Sequence, residues 1–519
     1  MEKIIHLNGE NLSIEDVWAV AHRKASVELS SESIKKIQTS REYIEARIQA
    51  GEVMYGVNTG FGAFSSVRIS EAQIEELQKN LIRSHSMGIG PSFHPVQVRA
   101  IMLLRANALS RGHSGVRVEV VQKILEFIRH DILPVIPQQG SVGASGDLAP
   151  LSHLALALMG EGEVLEVFSD EDFKVSSKSC AEVLREKKIQ PLTLKAKEGL
   201  SLINGCQVMT AVGMLAAYQA RRALWMMDIA GAMTLEALRG SRTAFHPLIA
   251  ATRPHPGEAK TATNLRTLLA ETSAIAESHA GCSKVQDAYS LRCMPAVHGA
   301  AKDALRYVWN VLQTEANSST DNPLVFATED EVLSCGNFHG EPVAFALDFA
   351  AIAMSGSSSM SECRIEKLIN PTMSELPAFL APQGGLHSGH MIVQVAAASL
   401  VSENKILSHP ASVDSIPTSA DKEDHVSMGT IASRKFSQVV ANAENIVAME
   451  LLSATQALDL LRPLTSSPVI EKIYAMIRTK VPFAQEDRIF SKDVQQIRQM
   501  IQDGSLLKEV QNSIGELSW

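Results

Sequence analysis

Aromatic residues make up only 5% of this 519-residue chain, with four tryptophans and six tyrosines. That scarcity, beside abundant alanine, leucine, methionine and serine, argues against a sheet core and for packed helices. The six cysteines, Cys180, Cys206, Cys282, Cys293, Cys335 and Cys363, form no Cys-x-x-Cys pair and no metal-finger spacing. This excludes a disulfide framework or a zinc finger and fits reduced thiols in a cytoplasm. No secretory leader is expected, and no membrane segment either, because the longest apolar stretches, such as 392–401, are short and interrupted by polar residues. A formal net charge of −9 is modest for this length, which leaves little electrostatic attraction to nucleic acid or anionic lipid. A small-molecule substrate fits that balance better. With 45% hydrophobic residues, the chain can bury a large core as one big domain or two or three smaller ones.

Along the chain, an extended piece over Ile4 to Leu7 precedes Ser13-Ile14-Glu15-Asp16, a capping pattern that starts a helix. A second helix is predicted from Ser33 to Gln49. Glycines at 51, 56, 60 and 62 then punctuate a loop, and helical periodicity returns over Glu71 to Arg83 and Pro95 to Arg111. The polar stretch from Glu161 to Leu194, with β-like pieces such as Val164 to Phe168, reads as a surface excursion. Beyond it, runs nearly free of helix breakers recur at Val208 to Arg239, His298 to Glu315, Pro342 to Ser355, Met391 to Lys405 and Ser433 to Leu461. These predict a bundle of long helices, several of them apolar on more than one face and therefore buried in a core or against other subunits. No internal repeat or low-complexity tract stands out.

Residues 140–155 read Gly-Ser-Val-Gly-Ala-Ser-Gly-Asp-Leu-Ala-Pro-Leu-Ser-His-Leu-Ala. A phosphate-binding loop is a poor reading of them, because no lysine follows the glycines. A nucleophile elbow fails as well, since Asp147 stands where its second glycine belongs. The triplet Ala144-Ser145-Gly146 offers different chemistry. If the Gly146 nitrogen folds back onto the Ala144 carbonyl, an excursion that glycine tolerates best, and Ser145 loses its hydroxyl as water, the product is an electrophile that no ordinary side chain supplies.

This string resembles the signature of the histidine and aromatic amino-acid ammonia-lyases, and the similarity runs in blocks from about Tyr55 to about residue 490. The resemblance implies a 4-methylidene-imidazol-5-one cofactor formed autocatalytically from Ala144, Ser145 and Gly146. It also implies non-oxidative removal of ammonia from an amino acid, in a cytoplasmic homotetramer whose active sites each take residues from three subunits. Tyr55, heading Tyr-Gly-Val-Asn-Thr-Gly-Phe-Gly, matches the family's loop-borne catalytic base, and a phenolate is strong enough to take a β-proton. Arg292 matches the arginine that grips the substrate carboxylate, for which a guanidinium fork is suited. Gln286, Tyr289 and Asn204 match residues around cofactor and substrate, Tyr289 among the catalytic ones, and Phe338 matches a phenylalanine beside the cofactor ring. His85 in Ser-His-Ser-Met-Gly and Glu423 in Glu-Asp-His-Val-Ser-Met follow the histidine branch, as does the run from His409 to Ser415. A carboxylate suits an imidazole and is poorly satisfied against a phenyl ring. Histidine is the implied substrate, converted to trans-urocanate and ammonia as the first step of histidine breakdown.

Four positions depart from the family pattern: Ala296 where Gln is usual, Asp421 and Lys422 where Asn-Gln is usual, and Cys206 where Thr is usual. They bear on substrate identity more than on reaction type. An aminomutase returning the amine to the β-carbon, or a lyase for another aromatic amino acid, uses the same parts, and a non-catalytic scaffold would not need the cyclised triplet. The His387-Ser388-Gly389-His390 pair reads as an ordinary loop, and no metal is expected. The fold expected is mainly all-α. A smaller, mostly helical N-terminal domain over 1–195 carries the tyrosine and cofactor loops, and a long central helix bundle over 196–519 holds the tetramer core.

Overall fold

Ser13 opens the first helix, Ile14–Ala21, in the manner its neighbours predict. The Ser13 hydroxyl accepts the Asp16 amide at 3.0 Å, and the Asp16 carboxylate accepts the Ser13 amide at 3.2 Å. On either side of this helix, strands Lys3–Leu7 and Ala25–Leu29 pair in parallel. The computed structural model describes residues 3–60, 67–166, 176–270, 272–282 and 285–519. Among them, helices dominate, and the strands form four separate two-stranded sheets. This is the mainly helical architecture that the aromatic-poor composition predicts.

The long helices fall where breakers are absent: Gln207–Ala237, Met294–Ala316, Glu341–Ile369, Met391–Leu407 and Gly429–Leu460. One is much longer than its sequence suggests. The run free of breakers ends at Ser355, before Gly356-Ser357-Ser358, yet Glu341–Ile369 continues through them. The Ser355 and Ser358 hydroxyls each donate at 2.8 Å to the carbonyl four residues back, which satisfies them without leaving the helix. By length and composition this helix could cross a bilayer. Its residues Val343, Ala346, Leu347, Ala350 and Met354 are instead buried in protein.

The chain forms two compact units. The first comprises Met1–Tyr218, Trp309–Asp348 and Pro410–Arg434, and the second Gln219–Val308, Phe349–His409 and Lys435–Trp519. Residue 195 falls inside the first unit, because helix Glu198–Ile203 just beyond it packs against Ile74–His85 and Leu148–Leu158. Among the described residues, the polar excursion after residue 161 holds strands Glu163–Leu165 and Ser177–Ser179, paired antiparallel, and helix Cys180–Lys187; Phe168, read as β-like from the sequence, lies outside the described residues.

Buried ions organise the second unit. Asp228 holds Lys302, His298 (2.9 Å) and Asn264 (2.8 Å), and Arg364 forms a two-point pair with Glu450 at 2.6 and 2.9 Å. Such pairs stay buried only when their remaining hydrogen bonds are satisfied. Thr234 and Ser361 supply two of those that Glu450 needs.

Candidate active site

Strand Pro137–Gln139 runs into the glycine-rich turn, and helix Leu148–Leu158 leaves it. Gly146 has φ of +74°, and a Cβ there would lie 2.2 Å from the Gly205 carbonyl oxygen, so glycine alone fits. Two backbone hydrogen bonds clamp the turn onto Gly205: Asp147 N donates to Gly205 O at 2.7 Å, and Gly205 N donates to Ser145 O at 3.2 Å. Behind the turn, the buried Asp147 carboxylate accepts the Val208 and Met209 amides at 2.8 and 2.9 Å and the Thr430 hydroxyl at 2.5 Å. Those amides open helix Gln207–Ala237, where an anion is favoured. Burial nevertheless pushes Asp147 up to about 6, against these hydrogen bonds.

The turn presents Ser145 to a cavity of about 1240 Å³, lined also by Tyr55, His85, Asn204, Phe338 and Glu423. Six of the positions singled out in the sequence thus meet in the first unit. Ser145 Oγ lies 3.4 Å from Glu423 Oε1, while Glu423 Oε2 accepts the Thr418 hydroxyl at 2.8 Å. His85 closes helix Ile74–His85 and donates from Nδ1 to the Leu81 carbonyl at 2.9 Å, which leaves Nε2 as an acceptor. Burial holds its imidazole below the usual range, against the Leu81 hydrogen bond and the Glu423 charge. His85 and Glu423 therefore offer two acceptors to one ligand.

Tyr55 stands in a tightly bonded segment. Asn58 Oδ1 accepts the Met54 amide at 2.8 Å, Asn58 Nδ2 donates to Glu52 O at 2.7 Å, and Gly56 N donates to Thr59 Oγ1 at 3.1 Å. Phe61 and Gly62 of the same motif lie outside the described residues.

Asn204 is buried at the end of helix Glu198–Ile203, and its Nδ2 donates to Asp321 Oδ1 at 3.2 Å. Asp321 also binds Lys197 at 2.9 Å. Burial raises the Asp321 carboxyl, but Lys197 and Arg105 outweigh it and hold the group below the usual range. Arg105 reaches the carbonyls of Ser201 and Asn204, so one buried network fixes the asparagine. Cys206 is buried, and its thiol donates to the Phe338 carbonyl at 3.0 Å. Burial pushes the neighbouring Glu315 carboxyl up to about 7, with Asp147 adding to the rise and a hydrogen bond with Cys206 opposing it.

Gln286, Tyr289 and Arg292 belong to the second unit and do not line this cavity. Gln286 is exposed, Tyr289 is 70% exposed, and the Arg292 guanidinium lies 4.5 Å over the Tyr289 ring. Ala296 lies nearby on helix Met294–Ala316. His390 is buried and bonds Ser453 at 3.1 Å, and His387 Nδ1 accepts the Asp487 amide at 3.3 Å.

The cavity also takes residues that sequence reasoning passed over, among them Asn80, Asn322, Ser334, Ser419 and Ala420. Ser419, Ala420 and Asp421 adopt φ of +50°, +54° and +62° in succession, an unusual left-handed run for residues with a Cβ. It aims Lys422 and Glu423 at the cavity between the Thr418 and Glu423 backbones, which bond each other at 2.9 and 3.3 Å. No glycine or asparagine marks this run, so no local signal points to it.

The fold and site together describe a mainly helical protein whose Ala-Ser-Gly turn faces a cavity beside an imidazole and a carboxylate. Residues 12–479 match the aromatic amino acid lyase family. A histidine ammonia-lyase of Anaeromyxobacter dehalogenans is 48% identical over 508 residues, covering 98% of this chain and 100% of that one. The crystal structure of histidine ammonia-lyase from Trypanosoma cruzi superposes with a TM-score of 0.91 at 43% identity, over 99% of this chain and 96% of that one. Tyrosine aminomutase from Streptomyces globisporus gives 0.93 at 37% identity, over 99% of each chain. The chain belongs to the aromatic amino acid lyase family.

Proposed function

We propose that this protein is a histidine ammonia-lyase, eliminating ammonia from L-histidine to give trans-urocanate. The observation that carries the reading is the meeting of the Ala144-Ser145-Gly146 turn with His85 and Glu423 in one cavity. Relatives named histidine ammonia-lyase at 48% and 47% identity over nearly the whole chain support it.

The turn suits the methylidene-imidazolone: the Gly205 carbonyl occupies the place a Cβ on residue 146 would need, Ala144 adds little bulk, and the Ser145 hydroxyl to be lost faces the cavity. When formed, the group supplies an electrophile that takes up the substrate amine and makes it a better leaving group. The chain's own residues do the rest. His85 Nε2 and the Glu423 carboxylate accept the two N–H groups of a protonated imidazole, orienting the ring. Tyr55 takes the β-proton on its phenolic oxygen. Asn204, fixed by Asp321, and Phe338 shape the wall by the turn. Arg292 grips the substrate carboxylate, with Gln286 and Tyr289 beside it. The exposure of Gln286 and Tyr289 in the second unit fits delivery from neighbouring chains of a cytoplasmic homotetramer, so that each site is completed by association.

The test is a product assay. Purified protein and L-histidine should yield urocanate, seen by its ultraviolet absorbance, and ammonia one for one, with tyrosine and phenylalanine far slower. A β-amino acid product would replace the reading with an aminomutase. Ser145→Ala should lower turnover at least about 1,000-fold, the loss of more than 4 kcal/mol of transition-state stabilisation. Its intact mass should also show none of the two-water deficit of the wild type. An unchanged rate in that variant would remove the cofactor assignment.

A further inference from the structure

We propose that His339, Glu341 and His425 form a binding site for a divalent transition ion of the zinc class, separate from the lyase chemistry. One ligand atom from each of the three residues lies within 4.8 Å of the others, and Nδ1 of His339 and Nε2 of His425 both face Oε2 of Glu341. Glu341 Oε2 stands 3.9 Å from the His339 nitrogen and 3.8 Å from the His425 nitrogen. All three residues belong to the first unit.

Three features go beyond proximity. Glu341 Oε2 is shielded from solvent and has no hydrogen-bond partner, although an unmatched buried carboxylate oxygen costs about 1–3 kcal/mol. A cation there would meet that need. The His339 tautomer is set from its far side, where Nε2 donates to the His425 carbonyl at 3.2 Å. The lone pair is therefore on Nδ1, where it accepts the Glu341 amide in a long bond of 3.4 Å that an ion would replace. A backbone carbonyl fixing one ring nitrogen so that the other can ligate is the usual support of a metal-bound histidine. The two rings, meanwhile, lie parallel, 5.8 Å apart and 5° from coplanar in direction, and the His425 side chain is 69% exposed.

Two imidazoles and one carboxylate are a zinc ligand set that leaves a fourth position to water. Bonds of about 2.0–2.2 Å place tetrahedral ligand atoms about 3.3–3.4 Å apart. The two carboxylate–imidazole separations, 3.9 and 3.8 Å, need contraction by roughly half an ångström, and the exposed His425 can turn to bring its ring nitrogen in. The ion would tie two segments together, since His339 follows Phe338 and His425 lies two residues after Glu423, both cavity residues. The sequence expectation of no metal looked for clustered ligands along the chain; these come from segments 86 residues apart.

Full-length protein is stripped with a chelator, dialysed, and titrated with zinc against a chromophoric competitor. Substrate is left out because histidine itself chelates zinc. One equivalent per chain is expected. His425→Ala removes a ligand at an exposed position and should weaken binding at least about 100-fold, beyond the usual loss from an outer-shell partner. Glu341→Gln should do likewise. Cobalt should give the visible bands of a nitrogen and oxygen site without a thiolate charge-transfer band. Zinc should also slow amide exchange in segments 334–340 and 418–426 of the wild type and not of His425→Ala. Zinc affinity unchanged in both variants, a thiolate band, or no binding at micromolar zinc would each overturn the proposal.

Discussion

A carboxylate facing the cavity favours a ligand that can donate to it and penalises one that cannot. Glu423 has one oxygen committed to Thr418 and the other near Ser145, so an imidazole N–H improves its surroundings while a phenyl ring leaves it desolvated. Glu423→Gln keeps the shape and removes the charge, and a hydrogen bond to a charged group is worth about 1.5–3 kcal/mol. Steady-state assays should then show kcat/KM for histidine falling roughly 10- to 100-fold, with the slow reaction of phenylalanine changed far less; equal losses would mean that Glu423 does not read the ring. Glu315 makes a prediction of a different kind. Burial lifts its carboxyl in the folded chain to about 7 from an ordinary 4.5, so the folded state holds the proton more tightly than the unfolded one. The stability tied to that proton is fully present below about pH 4.5 and is lost as pH rises through about 7. Glu315→Gln cannot lose it. Its thermal midpoint should gain on the wild type between pH 5 and pH 8, by up to about 2–3 kcal/mol in free energy. A pH-independent difference between the two proteins would contradict this. His85, Ser145 and Glu423 were legible in the sequence because each sits in a recognisable string. The thiol-to-carbonyl bond of Cys206 and the burial of Glu315 were not, since both depend on packing between segments about a hundred residues apart.

At the scale of elements, helix boundaries followed local chemistry closely where caps or glycines marked them. Ser13 and Ser30 cap the first two helices, and Pro95 is the first residue of helix Pro95–Ser110. Where tertiary contacts took over, local signals misled. The serine run inside Glu341–Ile369 looks like a break, and the left-handed run from Ser419 to Asp421 carries no glycine. The short helix Glu198–Ile203 shows the same dominance of context. Lys197 precedes it at φ of +72°, fully buried, and pairs with Asp321, which also holds Asn204. Lys197→Met leaves that carboxylate in the interior without its main partner, a change that typically costs about 3–5 kcal/mol. The thermal midpoint should drop accordingly, and turnover should fall with it because Asn204 loses its anchor. Lys197→Met/Asp321→Asn removes both charges and should recover much of the stability. If the double variant is no more stable than the single one, the pair is not what holds this element.

For the molecule as a whole, the composition foretold helices apolar on several faces, and the structure shows which faces the chain itself leaves uncovered. On helix Met391–Leu407 only Val393, Ala397 and Asn404 are buried, while Ile392, Val395 and Ile406 are 64%, 52% and 73% exposed. Phe345, Phe349 and Ile352 form a second exposed stripe at helical spacing on Glu341–Ile369. Exposed apolar stripes of this kind mark association surfaces, and under the proposed function it is another chain that brings Tyr289 and Arg292 to a cavity. Val395→Glu with Ile406→Glu places two charges on one such face. Sedimentation should show the oligomer falling apart and histidine turnover lost, while the two-water mass deficit persists, because the Ser145 turn and its clamp on Gly205 lie within one unit of one chain. Sharing of sites has its own signature. Ser145→Ala and Arg292→Ala chains should each be inactive alone, but co-expressed they should form mixed oligomers in which some cavities pair an intact turn with an intact arginine. Partial recovery of urocanate formation is the expected result. No recovery from demonstrably mixed oligomers would mean that each chain supplies its own arginine, and the exposed stripes would then serve stability alone.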